Sequence, residues 1–414
     1  MKRIYILSVT LATVFSILLS GCYQAVVKAP TPATLPTAAS TTEVLPQETT
    51  AAPTEETAET TFPEETTPSA AEDTTPATEE TASATEETTS GEVEIIAPPP
   101  EAEGELEEER FTLTFLGDCT IGSQPIQMNV MYSILWFIGE DYTYPFKGVI
   151  DYIDDDDLTV INLEGTFCDP MPNSGALFTF RAPTNYVNVL TENSIEVASF
   201  ANNHTMDYLQ KGYDSTLATL EEAGIPYVEK DSSTLVTTKS GLTVGFYALS
   251  FSMNKADMQT EIAQLRKDGA EVVVVSAHWG AEGSYRAAQT QIDIAHAAID
   301  AGADIVYGHH PHVLQKIEEY NDGIIYYSLG NFVFGGHHWP QDLDSAVLQQ
   351  EIIRSPEGEI SLGELTIIPV SCSSLPAQND FQPTPYEEGS EKYERVMSKL
   401  DGTFKGRDLV VNYD

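Results

Sequence analysis

Residues 307–315 read YGHHPHVLQ, which puts His309, His310 and His312 on one short stretch with a proline between the last two. The chain has 8 histidines in all, and none precedes residue 204. Neutral imidazole is a ready ligand for divalent transition metals. No tag-like or low-complexity tract surrounds the cluster. Other groups with ligand chemistry stand alone along the chain: Asp118 after Gly117, Glu164 before Gly165, the run Asn202-Asn203-His204, and His278. Taken singly, each has a plainer reading as a turn, a cap or a satisfied core group. Taken together, carboxylate, amide and imidazole make a mixed oxygen and nitrogen set. Such a set suits Mn, Fe or Zn better than the all-oxygen cages of Ca or Mg.

The elements that would carry these residues share one feature. FTLTFLGD alternates like a half-buried strand and ends on Asp118, and LTVINLEG ends just past Glu164. IEVASFANNH ends on His204, EVVVVSAHWG delivers His278, and DIVYGHH delivers the histidine cluster. Between them, LQKGYDSTLATLEEAGI, ADMQTEIAQLRKDGA and TQIDIAHAAIDAGA read as amphipathic helices, the first closed by Gly224. LTVGFYALS is a further strand. In α/β sheets the carboxyl ends of strands line the ligand crevice, so five such ends form a convergent polar site. GIIYYSLGNFVF, AVLQQEIIR and LGELTIIPV then follow with no helix between them, as in an antiparallel sheet or sheet edge. The pattern predicts an α/β domain over 111–414, built on one mixed sheet or two packed sheets.

The rest of the chain reads differently. Lys2 and Arg3 precede an apolar stretch that runs into Leu19-Ser20-Gly21-Cys22. This resembles a bacterial lipoprotein signal over residues 1–22, with Cys22 as the lipidated residue. Residues 23–110 are dominated by Thr, Glu, Ala, Pro and Ser, too polar to offset ordering entropy, and predict a disordered tether. The expected place is therefore the extracellular face of a bacterial cell membrane, with the chain held there by its lipid. With 20 Lys and Arg against 64 Asp and Glu, the net charge is -44, which excludes nucleic acid as a partner. Three cysteines remain beyond Cys22, and a bridge between Cys119 and Cys168 is open on sequence alone.

Six stretches, in order, carry a family resemblance: GD at 117–118, NLEG at 162–165, ANNHTMDY at 201–208, HWGAE at 278–282, GADIVYGHHPHVLQ at 302–315 and YSLGNFVF at 327–334. They resemble the CapA family of capsule and poly-γ-glutamate biosynthesis, a branch of the calcineurin-like metallophosphoesterases. The resemblance implies a four-layer α/β/β/α sandwich holding one or two divalent ions. It implies Asp118, Glu164, Asn203, His278, His310 and His312 as metal ligands, with Glu164 bridging and His204 as acid toward a leaving group. Arg181, Asn202, Glu282 and His309 fall on the substrate side. Where the phosphoesterases place a histidine two residues after the first aspartate, this chain has Thr120, so one ligand of one metal is missing.

The function this implies is metal-dependent handling of an anionic extracellular polymer such as poly-γ-glutamate, alongside membrane components of a polymer synthase. Two alternatives stand beside it: an extracellular metal-dependent phosphoesterase, and a polymer-binding scaffold without catalysis.

Overall fold

The computed structural model describes residues 107–128, 130–251 and 254–411. Cys22, the signal and residues 23–106 of the expected tether lie outside the described residues. The first strand, Glu109–Thr120, starts two residues ahead of Phe111. Arg354 meets Glu109 at 2.6 Å and Arg110 meets Glu351 at 2.7 Å, so ion pairs to a neighbouring strand hold this early start.

Glu109–Thr120 sits near the middle of an eight-stranded sheet. On one side run Leu158–Leu163, Val197–Phe200 and Tyr227–Glu229, all parallel. On the other run Asp344–Arg354, Ile360–Ser371 and Thr384–Pro385, all antiparallel. A second sheet holds six strands in the order Ile317–Tyr320, Gly323–Tyr326, Ile305–His309, Val272–His278, Thr243–Ser250 and Ser232–Thr237. The choice between one mixed sheet and two packed sheets thus falls to two.

Alternation along the strands decides the layering. Val272 and Val274 face inward and pack with Phe115, Val160, Tyr307 and Tyr326 in the core between the sheets. Val273 and Val275 face outward against Ile262 and Leu265 of helix Lys255–Lys267, and Ile294 and Ala298 of helix Gln289–Asp300. A run of four valines reads as continuous because both faces of its strand are covered. On the other sheet, Ile161 and Leu163 face outward against Leu220 of helix Leu209–Ala223. The result is helices, sheet, sheet, helices, the architecture the sequence resemblance implies.

One stretch departs from its expectation. GIIYYSLGNFVF does not form a single strand. Gly323–Tyr326 pairs in the six-stranded sheet, and Asn331–Phe334 crosses to pair in parallel with Glu109–Thr120. Gly330, at φ 67°, makes the turn between them. A Cβ on Gly117 would lie 2.3 Å from the Gly330 carbonyl oxygen, so the two backbones meet only because residue 117 is glycine. This crossover joins the two sheets at the edge where the polar residues gather. A C-terminal helix, Glu391–Leu400, was not legible in the sequence and packs on the antiparallel strands.

Candidate metal centre

Asp118 stands two residues before its strand ends, and Glu164 directly follows Leu158–Leu163. Asn203 and His204 lie just past Val197–Phe200, and His278 closes Val272–His278. His309 closes Ile305–His309, and His310 and His312 form the turn beyond it. That turn is strained: φ is 95° at His310 and 56° at His312, the left-handed region that few non-glycine residues enter. Backbone hydrogen bonds hold it. Trp279 N–H donates to the His309 carbonyl at 3.1 Å, and Gly283 N–H donates to that of Pro311 at 2.8 Å.

The side chains converge on Glu164. Its Oε1 lies 3.9 Å from His204 Nε2, 3.9 Å from His278 Nε2 and 3.7 Å from His312 Nε2. His312 Nδ1 is 3.1 Å from Asp118 Oδ2, and His278 Nε2 is 2.7 Å from Asn203 Oδ1. Potential ligand atoms of Asp118, Glu164 and His312 lie within 4.8 Å of one another, and so do those of Glu164, His278 and His310. Glu164 belongs to both groups, which is the placement of a bridging carboxylate. A third group joins Glu282 to His310 and His312.

Electrostatics separate these groups into kinds. Burial alone would raise Asp118, but the His309 and His312 imidazoles hold its carboxyl well below the usual range. Burial pushes Glu164 up to about 7, with His312 opposing and Asp118 reinforcing. Burial would lower His312, yet Glu164 and Asp118 hold it up at about 10. Burial and the neighbouring His310 keep His278 well below the ordinary imidazole value, and burial with His312 pushes His310 down to about 3. His278 and His310 therefore stay neutral and keep a lone pair for a cation.

The fit to a divalent ion rests on unsatisfied atoms. Asp118 Oδ2, both Glu164 carboxylate oxygens, His278 Nδ1 and His310 Nδ1 are buried without a hydrogen-bond partner. Native interiors leave few such groups, and several in one spot mark a missing partner. Two carboxylates beside neutral imidazoles suit a cation with mixed oxygen and nitrogen preference. The cluster could hold a divalent metal.

The remaining candidates are placed as follows. Glu282 joins the third ligand group and lines the cavity beside it. His309 is fully enclosed, with Nδ1 3.2 Å from Asp118 Oδ1. Asn202 does not face the cluster with a free amide. It donates to Asn162 Oδ1 at 3.1 Å and the Leu163 carbonyl at 2.8 Å, and accepts from His204 N–H at 3.0 Å. Arg181 donates to the Cys168 carbonyl at 3.1 Å and lies over the Tyr208 ring. Cys119 and Cys168 are free and buried, as is Cys372.

Three residues that sequence reasoning passed over orient the set. Asn162 Nδ2 donates to Asp118 Oδ1 at 2.9 Å. Asn331 Oδ1 is 2.9 Å from His312 Nδ1, and its amide donates to the His312 carbonyl at 3.3 Å. Asp207 Oδ2 is 2.9 Å from His204 Nδ1 and also accepts from Phe180 N–H at 2.6 Å. Asp207 lies three residues past His204, within the stretch ANNHTMDY, and that spacing was the available signal. Asn162 and Asn331 also stand in quoted stretches, NLEG and YSLGNFVF, but their partners lie on other strands, so local spacing could not assign their contacts.

The family model described as bacterial capsule synthesis protein PGA_cap matches residues 112–336. The chain is 33% identical over 288 residues to the capsule biosynthesis protein CapA of Bacillus anthracis, spanning 63% of this chain and 67% of that protein. It is 37% identical over 236 residues to the PGA biosynthesis protein CapA of Bacillus subtilis (strain 168), spanning 52% of this chain and 59% of the relative. Among solved structures, the NAD nucleotidase NadN of Haemophilus influenzae overlaps with a TM-score of 0.37 at 11% identity, covering 72% of this chain and 56% of that one. With a family model spanning more than half of its length and relatives at this identity, the chain belongs to the CapA family of capsule biosynthesis proteins.

Proposed function

We propose that this protein acts in the synthesis of an anionic extracellular polymer of the poly-γ-glutamate kind, through a metal-dependent site. It would be held at the outer face of the cell membrane by lipid on Cys22, beside membrane components of a polymer synthase. The observation that carries the metal-dependent reading is Glu164, a buried carboxylate common to two groups of potential ligand atoms. Asp118 and His312 would hold one cation, and Asn203, His278 and His310 a second, with Mn, Fe or Zn as the ion. When bound, such an ion supplies Lewis-acid polarisation of a substrate oxygen.

The chain's own groups do the rest. His204 presents Nε2 toward Glu164 while Nδ1 meets Asp207. Burial would lower its pKa, but Asp207 and Glu164 raise it above the ordinary value. The shift favours the protonated form of His204, and its Nε2 faces the cluster, the position of an acid toward a leaving group. Asp207 fixes the ring, and Phe180 N–H fixes Asp207. Asn162 and Asn331 restrain Asp118 and His312 in the same way, as outer partners of ligands generally do.

The test begins with metal content by elemental analysis of chain purified without chelators. At least one equivalent of Mn, Fe or Zn is expected, with a strong loss in His312→Ala. A metal-free wild type overturns the reading. Incubation with poly-γ-glutamate, read as chain length, and with a generic phosphoester then separates polymer processing from phosphoester hydrolysis. Metal without turnover of either points to the scaffold role.

A further inference from the structure

Beside the histidine turn the fold leaves a cavity of about 230 Å³. His204, Glu282, His312, Asn331, His337 and Gln341 contribute polar groups to its lining. Its walls are of another kind: Phe178, Phe180, Phe334 and Trp339, with Leu409 and Val411 facing them from the C-terminal segment. That segment is fastened in place. Leu409 N–H donates to the Gly283 carbonyl at 2.9 Å, and Gln341 Nε2 donates to that of Val410 at 3.0 Å.

The charge of the lining is as informative as its shape. Among the described residues that line the cavity none is Lys or Arg, while Glu282 and Asp342 are both present. Lys399 offsets Asp342 from behind, with Nζ 2.5 Å from its Oδ2. Glu282 has no Lys or Arg ion pair among the described residues. Recognition of carboxylates and phosphates draws on Arg, Lys or oriented N–H groups. Away from His204 and His312, a run of free glutamate side chains would meet mostly aromatic and aliphatic carbon. Aromatic and aliphatic walls around a few polar groups are the usual lining for an apolar ligand.

We propose that this cavity is the subsite for a neutral apolar group, aliphatic or aromatic, on a substrate whose polar head reaches the ligand cluster. The substrate is then an amphiphile. The proposal rests on the metal-dependent reading of the cluster, which would hold the head.

The experiment titrates the full chain, in phospholipid nanodiscs and loaded with Mn²⁺, with alkyl phosphates from methyl to hexyl. Heat of binding is the readout, and empty nanodiscs serve as the blank. Affinity is expected to rise about threefold to fourfold per methylene until the cavity is filled. In Trp339→Ala, a change at a side chain 62% exposed and so tolerated by the fold, that rise flattens by at least half. Affinity independent of chain length, or tri-γ-glutamate binding more tightly than hexyl phosphate, overturns the proposal. Inorganic phosphate separates the two readings. If it fails to bind with Mn²⁺ present, the cluster reading is lost and the subsite is judged on hexan-1-ol, which lacks the head. Saturable binding of hexan-1-ol that weakens in Trp339→Ala supports the subsite, and no binding overturns it.

Discussion

Asp344 and Glu164 are both buried carboxylates of the eight-stranded sheet, one opening a strand and the other following one, yet their surroundings differ in kind. Asp344 accepts from Arg395 through two nitrogens, each at 2.6 Å, from Lys399 Nζ at 2.7 Å and from the Tyr386 hydroxyl at 2.9 Å. Lys399 also meets Asp342 and lies over the Tyr285 and Phe404 rings. Both Asp344 oxygens are matched. Glu164 has both oxygens buried and no hydrogen-bond partner. One cluster is complete as protein and fastens the C-terminal helix. The other keeps buried oxygens without a partner, a gap that a cation would fill. A buried charge by itself therefore says little, and the census of its partners says which role it has.

Breaking the satisfied cluster should cost most. Lys399→Met keeps the apolar stem and removes the charge, leaving Asp342 and Asp344 with Arg395 as the remaining cation. Loss of one partner from a buried pair costs on the order of 3–5 kcal/mol, measurable by urea denaturation. A change below about 1 kcal/mol would erase the contrast.

The unsatisfied cluster should respond in the opposite direction. In metal-stripped chain, Glu164→Gln removes a buried charge that burial has pushed up to about 7. Its folded value lies above the unfolded 4.5, so the wild-type carboxyl's favourable contribution is complete below pH 4.5 and is lost as pH rises through about 7. The variant is expected to be more stable than wild type at pH 8 by about 1–3 kcal/mol, with the gap closing toward pH 4.5. Saturating metal should reverse the order. A variant that is less stable at pH 8 without metal would show that Glu164 is already satisfied.

Acid sharpens the same comparison with a smaller effect. Burial would raise Asp344, but Arg395 and Lys399 hold it below its unfolded value of 3.8. Its contribution is therefore full above pH 3.8 and is lost as pH falls through the lower folded value. Each unit of depression is worth about 1.4 kcal/mol. Denaturation midpoints between pH 5 and 2 should fall more steeply in wild type than in Lys399→Met.

The smallest effect is expected at His296, which stacks on Tyr320 at 3.7 Å and meets Glu318 at 3.3 Å on a helix remote in sequence from any ligand group. His296→Ala should cost about 1 kcal/mol or less and leave bound metal unchanged. Loss of metal in this variant would mean that histidine content, not placement, governs binding.

Much of the scaffold was legible in the chain. The valine run of Val272–His278 announces a strand covered on both faces, and Gly224 closes its helix with φ 71°. The histidine turn was legible because its members are neighbours in sequence and their residue type is rare here. Arg181 stands in a matching motif, and only the structure shows its guanidinium against the Cys168 carbonyl and the Tyr208 ring. The helix Glu391–Leu400 was not read from the sequence, and its buried anchor Lys399 finds its partners Asp342 and Asp344 more than fifty residues away.

By itself the sequence determined most of the long strands, the side chains that end five of them and that oxygen and nitrogen ligands would share one edge. Local periodicity and residue chemistry are properties of neighbours, and they survive in a string of letters. Only the tertiary structure decided that the strands split into two sheets, and that Asn331 crosses between them to reach His312. It also decided that Leu409 and Val411, nearly a hundred residues past the histidines, wall an apolar cavity over them. Such contacts are set by packing across the sandwich, where separation in sequence carries no information about distance.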